Sequence, residues 1–229
     1  MSDPVSGGPA QEQGATGGSS ARPRERRETV TSDTARLETF SDGVLAIAIT
    51  LLILEVRPPD VPPDGSLLRA LLHEWPSYLA YATSFLTLGI IWVNHHRMFK
   101  LIERSTNGFL MLNVVFLMVV SFIPFPTALV ADYIRAPKPQ QTTAMVVYGG
   151  TMILTAVMFN IVWRFAAAGH RLLVPGLDPE TIRRRTRGYT AGPIVYTAAT
   201  LIAFVDPQVS LFLFVAMAIF YTLPFSGPG

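Results

Sequence analysis

The sequence predicts an all-α, polytopic membrane protein with six transmembrane helices. Three observations carry this prediction. Six long apolar runs alternate with short polar segments, hydrophobic residues make up 50% of the chain against 15% charged, and Lys and Arg gather in alternate connecting segments. A helix needs about 20 mostly apolar residues to cross a hydrocarbon core of about 30 Å, and so many runs of that kind place a composition in the membrane class. Cysteine is absent, which excludes disulfides, Cys-ligated zinc and thiol catalysis. A net charge of +2 gives no reason to expect a nucleic-acid partner, and no cofactor is expected.

Residues 1–33 are rich in Gly, Ser, Pro and Arg and hold almost nothing that a core would bury. They are expected to form a disordered tail, leaving 34–229 as the membrane domain. The tail has no apolar core segment of the kind a cleavable signal peptide needs, so the first membrane helix is expected to target the chain. That first segment runs from Phe40 to Val56 and is ended by Pro58, Pro59, Pro62 and Pro63. The second spans Ser77 to Val93, the third Phe109 to Val130 and the fourth Thr142 to Phe165. Pro124 and Pro126 should kink the third or end its regular part early. After a basic stretch come a fifth, Thr190 to Val205, and a sixth, Val209 to Phe225, separated by Asp206-Pro207-Gln208 and short enough to read as a tight helical hairpin. Trp75, Tyr78, Trp92, Tyr133, Trp163 and Tyr189 lie near the predicted helix ends, where aromatic belts form. No internal repeat is visible, which weighs against the inverted-repeat transporters.

Lys and Arg total thirteen ahead of span one and in the segments after spans two and four, with Arg164 at the end of span four as a fourteenth, against four after spans one and three. The positive-inside rule then puts both termini in the cytoplasm of a multi-pass inner-membrane protein. Arg183, Arg184, Arg185 and Arg187 fall on the cytoplasmic side beside a helix start, as topology determinants within reach of anionic headgroups.

Polar residues inside the spans need a reason. Ser41 and Asp42 sit at the edge of an otherwise apolar helix, where a carboxylate is costly unless paired or wet. They either cap the helix N-terminus or meet a partner. At about 100° per residue, Phe40, Val44, Ile47, Leu51 and Leu54 share a face with Thr50 at its margin, while Asp42 points away. Gly43, Ala46 and Thr50 form an adjoining ridge of small residues that permits close helix approach. Periodicity alone does not tell a pore-lining stripe from a lipid-facing or core one.

A second cluster, Trp92 to Lys100, contains His95 and His96. Adjacent histidines diverge by about 100°, which disfavours shared metal ligation. A pairing of His95 or His96 with Asp42 at the same membrane depth is the better expectation. Asn113 and Asn160 are explained by hydrogen bonding between helices.

The motif R-x-x-x-F-S-D-G-V-x-A-I-A-I-T-L-L-x-L over 36–54, with W-x-x-H-H-R-x-F over 92–99, resembles the bacterial branch of the transmembrane protein 175 family of potassium channels, whose animal members sit in endosomes and lysosomes. The resemblance implies a potassium-preferring cation channel. It also implies a homotetramer in the lipid bilayer, since bacterial members carry one six-span unit where animal members carry two. The first helix would line the central pore, with a hydrophobic constriction at Ile47, then Leu51 and Leu54 one and two turns further out, and Thr50 close by. It further makes Arg36, Phe40, Ser41 and Asp42, with Trp92 and His95 or His96, a structural polar network. No T-V-G-Y-G carbonyl filter is present, so selectivity must arise differently.

Two other classes compete. A proton-coupled secondary transporter would use Asp42 and a histidine as a relay. An intramembrane hydrolase would use Ser41, Asp42 and His96, but Ser41 and Asp42 diverge by about 100° and do not converge as nucleophile and orienter.

Overall fold

The computed structural model describes residues 23–222, and every regular element among them is helical. The tail reading for 1–33 falls largely outside the described residues. From residue 23 the backbone already belongs to α1, Pro23–Leu51, which tightens into a 3₁₀ turn over Leu52–Glu55. A short α2, Leu67–His73, opens on Ser66, whose side chain accepts from the Arg69 N–H. Next come α3, Trp75–Phe99, and α4, Asn107–Ser121, capped by Thr106. The chain continues through α5, Pro124–Tyr133, and α6, Lys138–Ala167. It closes with α7, Pro179–Ile202, and α8, Pro207–Thr222.

Among the described residues, four segments are long and apolar enough to cross a membrane: Thr34–Glu55, Trp75–Phe99, Asn107–Tyr133 and Lys138–His170. The break expected at Pro124 falls between α4 and α5. There the Phe122 and Ile123 N–H groups bond three residues back, to the Val119 and Val120 carbonyls, the usual tightening before a residue with no N–H to give.

The fifth predicted segment needs correcting. It starts at Pro179 rather than Thr190, so the arginine run lies within the first turns of α7 rather than beside its start. Asp178 caps the helix by accepting from the Thr181 N–H at 3.2 Å, and Pro179 occupies the first turn, where its missing N–H costs nothing. Trp163 and Tyr189 are likewise not belt residues. Trp163 is fully buried, donates to Thr186 Oγ1 at 2.8 Å and packs edge-on against Tyr189, joining α6 to α7.

Helix α6 is the hub, packed against α4, α5, α7 and α8, while α1 packs on α3 and α4. Two details explain the α6–α7 contact. Gly149 faces Thr200 so closely that a Cβ there would come within 2.1 Å of Thr200 Oγ1. Pro193 inside α7 leaves the Tyr189 carbonyl without its helical donor, and Asn160 Nδ2 donates to that carbonyl at 2.7 Å. Between α3, α5 and α6, the hydroxyl groups of Ser84, Thr127 and Tyr148 form a buried cluster.

Candidate functional site

Helix α1 has two unlike faces. Leu37, Ser41, Leu45, Ala48 and Leu52 are buried at steps of four, four, three and four, the spacing of one helical stripe. The residues expected to form a constriction lie elsewhere on the wheel. Ile47 is 60% exposed, Leu54 65% and Leu51 40%, with Phe40 also open on this face. Thr50 is exposed and its hydroxyl donates to the Ile47 carbonyl at 2.9 Å, leaving the lone pairs of its oxygen free. Ile49, on the other side of the helix from Ile47, is half-buried and packs on the core. Apart from the half-buried Val44, the Ile47 face is therefore an apolar strip left open along Phe40, Ile47, Leu51 and Leu54.

The polar residues of the N-terminal half of α1 point toward α3 and α4, but not in the pairs expected. Asp42 meets neither histidine; it accepts from Trp92 Nε1–H at 3.0 Å. His96 Nδ1 instead pairs with Glu38 Oε1 at 2.8 Å. Geometry explains the exchange. Glu38 and Asp42 are four residues apart on α1, and Trp92 and His96 are four apart on α3, so two antiparallel helices set them opposite one another as two rungs. The Trp92 and His96 rings stack at 6.1 Å between centroids. His95, about 100° round from His96, is turned into the protein instead.

There His95 is completely buried, stacked on Phe99 at 4.4 Å and Phe116 at 5.6 Å. Its protonation pattern follows from a chain of contacts. The Ser41 hydroxyl donates to the Leu37 carbonyl at 2.8 Å and so accepts from Asn113 Nδ2, also at 2.8 Å. The other end of the amide, Asn113 Oδ1, then faces His95 Nε2 at 3.0 Å and must accept from it. His95 thus carries its proton on Nε2, while its buried Nδ1 has no hydrogen-bond partner among the described residues.

Ser41, Asp42, Trp92, His95 and His96 are therefore brought together with two residues that sequence reasoning left out of the network, Glu38 and Asn113. Arg36 and Phe40 are exposed and make none of these hydrogen bonds. Glu38 had as its signal only a four-residue offset to Asp42 equal to that of Trp92 to His96, which does not by itself fix a pairing. Asn113 had only its polarity inside an apolar span as a signal. Among the described residues, no group of three or more His, Cys, Asp or Glu side chains is placed to hold a metal ion.

A fold in which a long apolar helix keeps one face open while its polar residues tie it to two neighbours suits a membrane channel better than an enzyme cleft, and comparison with known proteins agrees. Residues 36–124 match the model of the endosomal/lysosomal potassium channel TMEM175 family. A potassium channel of Chamaesiphon minutus is 42% identical over 194 residues, covering 84% of this chain and 95% of that protein. A potassium channel of Streptomyces collinus is 37% identical over 190 residues, covering 83% and 92%. The crystal structure of a lysosomal potassium-selective channel TMEM175 homolog from Chamaesiphon minutus superposes with a TM-score of 0.76 at 40% identity, covering 86% of this chain and all of that one. This chain belongs to the TMEM175 family. It is a multi-pass membrane protein whose relatives are named as ion channels, not enzymes.

Proposed function

We propose that this protein is a potassium-preferring cation channel, a homotetramer of the inner membrane whose first helix lines the pore. The open apolar face of α1 carries the proposal. Phe40, Ile47, Leu51 and Leu54 are exposed although the opposite stripe of the helix is buried, and four copies turned inward would cover that face about a central path. Six spans follow if α7 and α8 complete the bundle, α8 being apolar but only 16 residues long. Both termini would lie in the cytoplasm, with residues 1–33 as a tail and 34–229 as the channel domain.

The narrowest ring would be Ile47, with Leu51 and Leu54 further out. Branched alkyl groups offer a dehydrating ion no oxygen, so such a ring empties of water and blocks conduction until α1 moves. Potassium sheds its hydration more readily than sodium, so a slightly widened ring passes potassium first, and the Thr50 hydroxyl supplies the nearest oxygen. The residues of the Glu38–His96, Asp42–Trp92 and Ser41–Asn113–His95 contacts are read as structural, holding α1 at a fixed rotation.

The test is ion flux from liposomes holding the purified protein, with potassium, sodium and proton gradients imposed separately. A potassium-dependent flux whose reversal potential ignores the proton gradient is expected. A reversal potential that follows the proton gradient would instead indicate a proton-coupled transporter.

A further inference from the structure

The short helix α2, Leu67–His73, buries none of its residues among the described part of the chain. At about 100° per residue its four leucines, Leu67, Leu68, Leu71 and Leu72, share an arc of about 140°, while Arg69 and His73 fall together on the other side. All four leucines are exposed, Leu68 by 68% and Leu72 by 67%. A contiguous apolar patch with a polar border marks an interaction surface.

The C-terminal end of this helix is firmly held. The Glu74 N–H bonds the Ala70 and Leu71 carbonyls, and the Glu74 carbonyl accepts from the Ser77 and Tyr78 N–H groups, so α2 passes into α3 through a hydrogen-bonded turn. Arg135, just beyond α5, donates to the His73 carbonyl and lies over the Trp75 ring at 5.8 Å. These contacts fix α2 at the level where the membrane-spanning α3 begins. Trp75 and Tyr78 are exposed at that level, and rings with an apolar body and a polar tip gather at the membrane–water boundary.

We propose that α2 is a membrane-surface helix, its leucine face seated at the boundary between lipid headgroups and acyl chains beside α3, with Arg69 and His73 turned toward water. An apolar arc, a basic edge and flanking aromatics are the parts such a helix requires. Two observations favour lipid over a second copy of the chain. Trp75 lines an open groove with Leu79 and with Leu211, Phe212 and Val215 of α8, so the α2–α3 junction adjoins α8, whereas the open face offered to other subunits belongs to α1, which packs on α3 and α4. Four leucines on so short a helix also expose much less than the ~800 Å² per partner that a standard protein interface buries. The proposal requires only that the bundle sit in a membrane, and neither ion conduction nor tetramer formation enters it.

Because the chain has no cysteine, single labels test the proposal directly. The variants Leu68→Cys, Leu72→Cys and Arg69→Cys of the full-length protein are labelled with bimane and placed in phosphatidylcholine nanodiscs, where both membrane faces meet the buffer. One quencher is aqueous iodide; the other is phosphatidylcholine bearing a doxyl group high on its acyl chain. Labels at Leu68 and Leu72 should be quenched more strongly by the doxyl lipid than by iodide, and the label at Arg69 should show the reverse order. All three positions are exposed, so labelling them leaves the bundle intact. Iodide quenching at Leu68 and Leu72 as strong as at Arg69 would overturn the proposal by placing the leucine face in water. Protection of Leu68 and Leu72 from both quenchers would overturn it as well, because that face would then be covered by a second copy of the chain.

Discussion

The Ser41–Asn113–His95 chain makes a sharp prediction about stability. Replacing Asn113 with Leu keeps the volume nearly constant and removes the one hydrogen-bond partner that a fully buried imidazole has among the described residues, where its Nδ1 is already unpaired. Ser41 still donates to the Leu37 carbonyl, so the cost falls mainly on His95. Stranding a buried polar group costs about 1–3 kcal/mol. Hydrogen bonds between membrane helices average only about 0.6 kcal/mol, with a maximum near 1.7, which favours the lower part of that range. At roughly 2–4 °C per kcal/mol for a chain of this length, Asn113→Leu should lower the midpoint of thermal unfolding in detergent by about 2–7 °C. His95→Leu should cost a comparable amount by stranding the Asn113 carbonyl oxygen. The double variant should recover most of the loss, because an apolar pair leaves nothing unsatisfied. Unfolding followed by fluorescence-detected size exclusion reads all four proteins of this cycle. A double variant as unstable as the sum of the singles, or an Asn113→Leu protein with an unchanged midpoint, would refute the reasoning.

Other sites are open to the same kind of test. Gly149→Ala forces a methyl into Thr200 and should destabilise by about 1–3 kcal/mol, an effect partly relieved by adding Thr200→Ala; thermal unfolding checks both. Trp92→Phe and Asp42→Ala each remove one half-exposed hydrogen bond, so each should cost about 1 kcal/mol or less, and the double no more than either alone. At the proposed constriction, Ile47→Asn should raise sodium permeability relative to potassium and increase basal flux. Ile49→Asn, on the half-buried side, should not alter selectivity; liposome flux showing the reverse would mean that the other face of α1 lines the path.

Much of this architecture was legible from hydropathy. Segments one, two, four and six lie inside or overlap closely the helices observed, and the break at Pro124 follows directly from the missing N–H. What escaped was helix whose surface is wet. The first three turns of α7 are too rich in arginine to register as a span, although Asp178-Pro179-Glu180 is a recognisable helix start. The α2 segment was hidden among the prolines, its Ser66 cap and its Leu67, Leu68, Leu71 and Leu72 notwithstanding. At the site, residue spacing was enough to separate the Ile47 face from the Asp42 side. The partner assignments were not accessible in that way, because several hydrogen-bonding patterns satisfy the same set of polar residues. Only the relative register of α1 and α3 sets Trp92 opposite Asp42 and His96 opposite Glu38.

The polar contacts of α1 all end early. Thr34 Oγ1 donates to the Glu103 carbonyl, and the Glu103 and Arg104 N–H groups in turn bond the Leu172 carbonyl. Counting from there, the tethers of α1 occur at Thr34, Glu38, Ser41 and Asp42, and from residue 43 onward α1 is held to the bundle by apolar packing through Leu45, Ala48 and Leu52. The first residue past the last tether is Gly43, around which an added Cβ would meet nothing within 4 Å. Mechanically this is a lever with a clamped base and a greased shaft. At 1.5 Å per residue, Ile47 stands about 6 Å beyond Gly43 and Leu54 about 16 Å, so a bend of roughly 20° there would carry Ile47 sideways by about 2 Å and Leu54 by more than 5 Å. In the proposed channel, Ile47, Leu51 and Leu54 thus all lie beyond the last polar tether, so moving them apart would shift the apolar packing of Leu45, Ala48 and Leu52 while the hydrogen bonds of Thr34, Glu38, Ser41 and Asp42 stay in place.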